Sequence, residues 1–327
     1  MTWLPDAAVE RLREVAEWPD FDGTRYEILE RVGSGGMGSV YRARDRELDR
    51  EVALKVLSLP DPESAARMLR EARVIARLEH PGIVPIHDVG RLPDDRVFYA
   101  MKLVAGERLD QLVARGEPLP GRLRAFERIC EAVAFAHARG VIHRDLKPEN
   151  VMVGPFGEVL VMDWGLARGG SAVAAEAAAP GTSDPVGTTS HGAVLGTPGY
   201  MAPEQARGDV SSVGERSDIY GLGALLHFLL VGTPPTATAP IPPGRLRSGV
   251  PVALQAVCRK AMAAEPAARY ATVGELAGDV ARFLAGDAVG AYPEGTLRRA
   301  RRLARKHRAA IVLIAAYLLM RLLLLLF

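Results

Sequence analysis

Cysteine is nearly absent. Cys130 and Cys258 are the only two in 327 residues, far apart and outside any CxxC pair. They make neither a disulfide framework nor a structural zinc module, and a reducing compartment is expected. Lysine is scarce too: Lys55, Lys102, Lys147, Lys260 and Lys306 stand against 36 arginines. Generic positive charge is therefore written as arginine, and at least two of the five lysines are expected where a compact ammonium differs from a guanidinium fork. The opening MTWLPDAAVERLREVAEW lacks a basic stretch followed by an apolar one, so no secretory leader is expected. The body also lacks a basic surplus. Residues 298–327 hold eight Lys or Arg and no acid, and the rest of the chain has 33 bases against 39 acids. That balance speaks against nucleic-acid binding by the body and directs the tail toward an anionic surface.

With 48% apolar residues the chain has ample material for a packed core, and its length suits two lobes. Tyr26 to about Val104 reads mostly as strands, with one helix that Asp61 and Pro62 start as N-cap and first helical residue and that runs to about Leu78. From about Leu109 the patterns turn helical, interrupted by a hairpin-like VMVGPFGEVLVMDWG. The apolar run Ile219 to Val231 is too short to cross a bilayer and reads as a buried helix. Gly169 to Gly192, with no aromatic residue and no Leu, Ile or Met, reads as a mobile loop. Ala309 to Phe327 is a 19-residue apolar segment with one charge, Arg321, behind a cluster of seven bases, and is the only spanning candidate.

The stretch Val32, Gly33, Ser34, Gly35, Gly36, Met37, Gly38, Ser39, Val40 carries GxGxxG, whose missing side chains let backbone N–H groups approach phosphates. Alone it equally describes a glycine-rich hairpin turn. A dinucleotide fold would need a helix directly after it, where Ser39 to Ala43 reads as extended, and the GK[ST] of a Walker loop is missing. Lys55 closes the apolar strand Val52-Ala53-Leu54-Lys55. At 100° per residue, Glu71 shares a helix face with Met68, Ala72, Ile75 and Leu78, where an unpaired carboxylate is costly. Glu71 wants a cation, and Lys55 is available. His143-Arg144-Asp145-Leu146-Lys147-Pro148-Glu149-Asn150 then sets an aspartate, a lysine and an asparagine in a proline-constrained loop, followed by Asp163-Trp164-Gly165.

With these motifs, together with Gly196-Thr-Pro-Gly-Tyr-Met-Ala-Pro-Glu204, Asp218 and Arg269, the chain resembles the bacterial eukaryotic-type (Hanks-type) serine/threonine protein kinases, the membrane-linked ones in particular, over roughly Tyr26 to Leu284. The resemblance implies an α+β, bilobal protein-kinase-like fold with a small β-rich N-lobe and a larger helical C-lobe. The expected organisation is an N-terminal extension over 1–24, the N-lobe over 25–104, the C-lobe over 105–286, a basic juxtamembrane linker over 287–308 and a transmembrane helix over 309–327.

The roles implied are those of phosphoryl transfer, which rests on positioning and countercharge. The glycine loop would cover the phosphates of ATP, with Ala53, Met101 as gatekeeper and Val104 completing the nucleotide site. Lys55, held by Glu71, would grip the α and β phosphates, and Asn150 and Asp163 would hold Mg2+. Asp145 would orient the substrate hydroxyl and accept its proton, and Lys147 would contact the transferred phosphate and mark serine/threonine specificity. Arg144 implies activation by a phosphate on the activation segment, with Thr188, Thr189 and Ser190 as leading acceptors. Two residues depart from the pattern: Trp164 stands where Phe is usual, and Lys102 stands at a hinge position often acidic.

The implied partners are protein substrates with Ser/Thr acceptors, a second copy of the chain for trans-autophosphorylation, and the inner (cytoplasmic) membrane, crossed once with the lobes facing the cytoplasm. No nucleic acid is expected. Two other classes stay in view. A pseudokinase scaffold would be favoured by loss of Lys55, Asp145, Asn150 or Asp163. A small-molecule phosphotransferase of similar fold would usually lack Ala202-Pro203-Glu204 and Arg269.

Overall fold

Alternating apolar residues and short turns between Tyr26 and Lys102 build one twisted sheet. The computed structural model describes residues 18–35, 38–164, 199–235, 249–296, 299–300 and 308–326. The strands are β1 (Tyr26–Gly35), β2 (Gly38–Asp45), β3 (Arg50–Leu57), β4 (Ile86–Arg91) and β5 (Val97–Lys102), in the order β1-β2-β3-β5-β4. Every pairing is antiparallel. The register lays Gly33, Val40, Lys55, Tyr99 and Val89 in one row across all five strands. Ala53 stands opposite Met101. Gly38 has no room for a side chain, because a Cβ there would run into the Val56 carbonyl.

Helix α1 (Pro62–Ala76) lies between β3 and β4 in the chain. The Asp61 carboxylate accepts from the Ser64 N–H at 2.8 Å, with Pro62 in the first turn, so the helix starts where the sequence predicts. Its buried stripe of Met68, Glu71, Ala72 and Ile75 faces the sheet, where Met68 and Ala72 meet Leu57, Val97 and Tyr99. The opposite face is covered differently. Phe21, preceding β1, joins Tyr26, Tyr41, Leu54 and Phe98, its ring lying edge-on to Phe98 at 4.9 Å. Both faces of a small sheet are thereby removed from water, which gives independent stability to a lobe this size.

The rest is mainly helical: β6 (Glu107–Arg108), α2 (Leu109–Ala114), α3 (Leu119–His137), the hairpin β7 (Val151–Val153) and β8 (Val159–Val161), α4 (Pro203–Ala206), α5 (Glu215–Val231), α6 (Val252–Ala261) and α7 (Val273–Leu284). Strands β6, β7 and β8 form a second small sheet. Helix α5 is buried along nearly its whole length and stops at Gly232, whose φ of +84° is a left-handed cap. It packs with α3, α6 and α7 around Phe126, Ile129, Leu222, Leu225, Leu254 and Leu276. Cys130 and Cys258 sit in this core with no exposed surface, and burial pushes both thiols up, so they are inert. Beyond α7 the chain is clasped by Asp279, which accepts from the Gly290 and Ala291 N–H groups at 2.7 and 2.9 Å and from the Tyr270 hydroxyl at 2.9 Å.

The tail contains α8 (Arg308–Leu326), whose described side chains, Ile311 to Leu318 with Met320, are exposed. Among the described residues no helix is long and apolar enough to cross a membrane. The crossing expected over 309–327 is therefore not supported by the structure. The loop expected over Gly169 to Gly192 lies outside the described residues.

Candidate active site

The site forms where the two lobes face one another. Lys55 stands on β3 with its side chain 15% exposed, and its Nζ reaches Glu71 Oε1 of α1 at 3.3 Å and Asp163 Oδ1 at 2.9 Å. The pairing read from the α1 stripe is thus made, and a second carboxylate, from the other lobe, closes it. Burial works against the Lys55 charge, but the carboxylates of Asp163 and Glu71 outweigh it and hold the ammonium well above the usual lysine range. Burial pushes Glu71 above the ordinary carboxylate range, with Lys55 pulling the other way. Asp163 is also opposed by burial but ends lowered, because Lys55 holds it ionised.

Below the sheet, the loop from His143 to Asn150 is fixed from beneath. Asp218 of α5 accepts from the His143 and Arg144 N–H groups, each at 2.8 Å, and its Oδ2 lies 2.7 Å from His137 Nε2. The His143 ring is fully buried, contacts the Met162 carbonyl through Nε2 at 3.0 Å and accepts from the Asp145 N–H at 3.2 Å. Burial lowers the His143 pKa, which suits a neutral ring that donates at one nitrogen and accepts at the other. These bonds stabilise left-handed backbone at Arg144 (φ 68°) and Asp163 (φ 52°), which is costly for residues with side chains.

The loop then presents its functional groups together. Lys147 Nζ lies 3.2 Å from Asp145 Oδ2. Asn150 Nδ2 donates to the Asp145 carbonyl at 2.8 Å and to its carboxylate at 3.3 Å, leaving the amide oxygen as the atom able to ligate a cation. Asp163 and Asn150 together offer hard oxygen donors from opposite sides of β7 and β8 in the chain, a set suited to a small divalent cation. Among the described residues no cluster of three or more His, Cys, Asp or Glu suits a metal by itself, so other ligands would have to come from substrate oxygens or water.

The other residues expected at a nucleotide site lie on or next to strands β1, β2, β3 and β5. Val32, Gly33, Ser34 and Gly35 lie on β1 and Gly38, Ser39 and Val40 on β2, with Val32 exposed over the opening. Ala53 and Met101 stand side by side on β3 and β5, and Val104 follows β5. Gly36, Met37, Thr188, Thr189 and Ser190 lie outside the described residues. Trp164 is 1% exposed, its ring tilted against the His143 ring with centroids 4.7 Å apart, and its Nε1–H finds no hydrogen-bond partner among the described residues.

Two further contacts involve α4. Arg269 makes a two-pronged bond to Glu204, Nη1 to Oε1 at 2.7 Å and Nη2 to Oε2 at 2.8 Å, with both side chains 0% exposed. Gln205 Nε2 donates to the Arg144 carbonyl at 3.0 Å, tying α4 to the loop. Sequence reasoning missed three supporting residues, Tyr99, His137 and Gln205. His137 sits six residues before His143 and carries no local signal, since its partner is 81 positions away.

Comparison with known proteins agrees with this geometry. Residues 26–242 match the family model described as the protein kinase domain. A serine/threonine-protein kinase PknB of Mycobacterium leprae (strain TN) is 39% identical over 284 residues, covering 80% of this chain and 43% of the relative. Serine/threonine-protein kinase pkn3 of Myxococcus xanthus is 38% identical over 272 residues, covering 76% of this chain and 48% of that protein. The chain thus spans less than half the length of these curated relatives.

Proposed function

The chain belongs to the protein kinase family, and we propose that it is an active bacterial serine/threonine kinase that moves the γ-phosphate of ATP onto hydroxyls of protein substrates. Membership implies ATP and a divalent metal, for which we propose Mg2+. The observation that carries the reading is the ammonium of Lys55 bonded at once to Glu71 and to Asp163, which joins the two lobes at the place where phosphates need countercharge.

When bound, the metal would supply charge neutralisation across the phosphates, held by Asp163 and Asn150. Lys55 would turn from Asp163 to the α and β phosphates, as a compact ammonium can. Asp145 would orient the acceptor hydroxyl and take its proton, with Lys147 beside it stabilising the charge on the transferred group. The loop beneath Asp145 is already fixed by Asp218, so little reorganisation is needed during reaction. Lys55, Asp145, Asn150 and Asp163 are all in place, and no observation favours the scaffold alternative.

The finer parts of the reading rest on sequence. Residues 309–327 would cross the inner membrane, since nineteen helical residues span about 28 Å against a hydrocarbon core of ~30 Å. The basic cluster before them would keep the lobes in the cytoplasm. Autophosphorylation between two copies would place phosphate at Thr188, Thr189 or Ser190, the activation-segment phosphate that Arg144 implies. Labelled ATP with the purified chain and a generic basic protein tests the main reading, and transfer that persists undiminished in Asp145→Asn overturns it. Carbonate extraction of membranes tests the anchor, which fails if the full chain is released.

A further inference from the structure

Resting on the kinase reading, we propose that Tyr99 is a positioning residue that holds Glu71, and with it α1, against the sheet independently of Lys55. Tyr99 is the cross-strand neighbour of Lys55, so the two side chains leave the same face of the sheet. Its hydroxyl donates to Glu71 Oε1 at 3.3 Å in a buried bond, and Lys55 Nζ lies 5.6 Å from its ring centre. The ring therefore supports the Lys55 stem while the hydroxyl holds the carboxylate.

One oxygen, Glu71 Oε1, serves both Lys55 and Tyr99. Lys55 is the partner that can be drawn away, for its shorter bond already goes to Asp163. Phosphates entering the cleft compete for the same ammonium. Glu71 is 5% exposed on an apolar helix stripe, and a carboxylate that lost its only donor there would turn its helix outward to reach water. Tyr99, a neutral donor on an inner strand of the sheet, is not drawn away when Lys55 engages a ligand. The uncharged hydroxyl also holds Glu71 without adding a second cation that would compete with Lys55 for the phosphates. Burial raises the phenol pKa, so the group stays a donor across the physiological range.

The test uses the full chain as wild type, Tyr99→Phe, Glu71→Leu and the double variant. Hydrogen exchange of the α1 amides is read without nucleotide, and ADP affinity and the split between kcat and KM for ATP are read with it. Tyr99→Phe removes one oxygen and keeps the ring, and is expected to speed α1 exchange about tenfold and to raise KM for ATP more than it lowers kcat. In the Glu71→Leu background, which has no acceptor for the hydroxyl, the same change is expected to have little further effect, because Tyr99 acts through Glu71. Unchanged exchange in Tyr99→Phe overturns the proposal, and so does an equal increase in both backgrounds, which would mark a packing role. Exchange needs no phosphate transfer, so failure of the kinase reading is seen separately, as a wild-type chain that binds no ADP or transfers no phosphate.

Discussion

Two buried ion pairs in this molecule are built to opposite ends. Glu204 and Arg269 are sealed in the helical lobe, joined by two short bonds, and the remaining donors of Arg269 go to the carbonyls of Ala263, Ala264 and Arg216. Lys55 and Glu71 meet at 3.3 Å through an oxygen shared with Tyr99, while Lys55 leans toward an Asp163 that is 49% exposed. A pair with every donor answered is made to stay. A pair with a divided cation and a half-open third partner is made to exchange, which is what a phosphate-gripping lysine must do.

The largest effect that would sharpen this contrast is on the cleft. Lys55→Met and Asp145→Asn should each lower kcat/KM for phosphate transfer by about a hundred- to ten-thousandfold, with thermal unfolding little changed. Labelled-phosphate assays and calorimetry on the same preparations would check it, and an equal loss of stability would erase the distinction. Arg269→Leu should do the reverse, costing roughly 3 to 5 kcal/mol in denaturant unfolding by leaving Glu204 buried without its cation. Activity per folded molecule should fall far less than in Asp145→Asn.

Acidification separates the pairs further, because their carboxylates are shifted in opposite directions. Glu204 ends lowered: burial raises it, but the Arg269 bonds and the Ser217 hydroxyl outweigh that. Its contribution to stability is present above the unfolded carboxylate range and is lost only as pH falls through its depressed folded value. Glu71 is raised, so it takes its proton earlier on the way down and loosens its grip on Lys55 while Glu204 is still ionised. Nucleotide affinity should therefore fall at a pH where near-ultraviolet dichroism is still native, and Glu204→Gln should flatten the acid limb of the stability curve. The smallest effect is expected at Trp164. Trp164→Phe removes an indole N–H that has no partner among the described residues, offsetting some of the lost ring contact, so stability should move by no more than about 1 kcal/mol in calorimetry.

Much of this was legible in the sequence because it is periodic or consecutive. The α1 stripe placed Glu71 by angle alone, Asp61 and Pro62 marked the helix start, and His143 to Asn150 arrive as one run. Tyr99 was not legible, although Val97, Tyr99 and Met101 alternate along β5, because which strand lies beside it and in which register is decided by the whole sheet. Gln205 and His137 act across 61 and 81 positions, and separations of that size leave no local trace. The apolar composition of 309–327 is plain, but composition does not decide whether a helix crosses a bilayer or rests against another surface.

The Asp279 clasp sets a length. With Ala291 pinned to α7, the lobes could stray from a membrane-embedded Ala309 only by the contour of the chain between them. Eighteen residue steps at no more than ~3.5 Å each allow about 60 Å. If residues 309–327 cross the bilayer as proposed, a kinase on so short a leash would patrol a shallow hemisphere at the bilayer face, and would meet membrane-bound proteins at a higher local concentration than dissolved ones. Cutting the clasp with Asp279→Ala would lengthen the leash without touching the cleft.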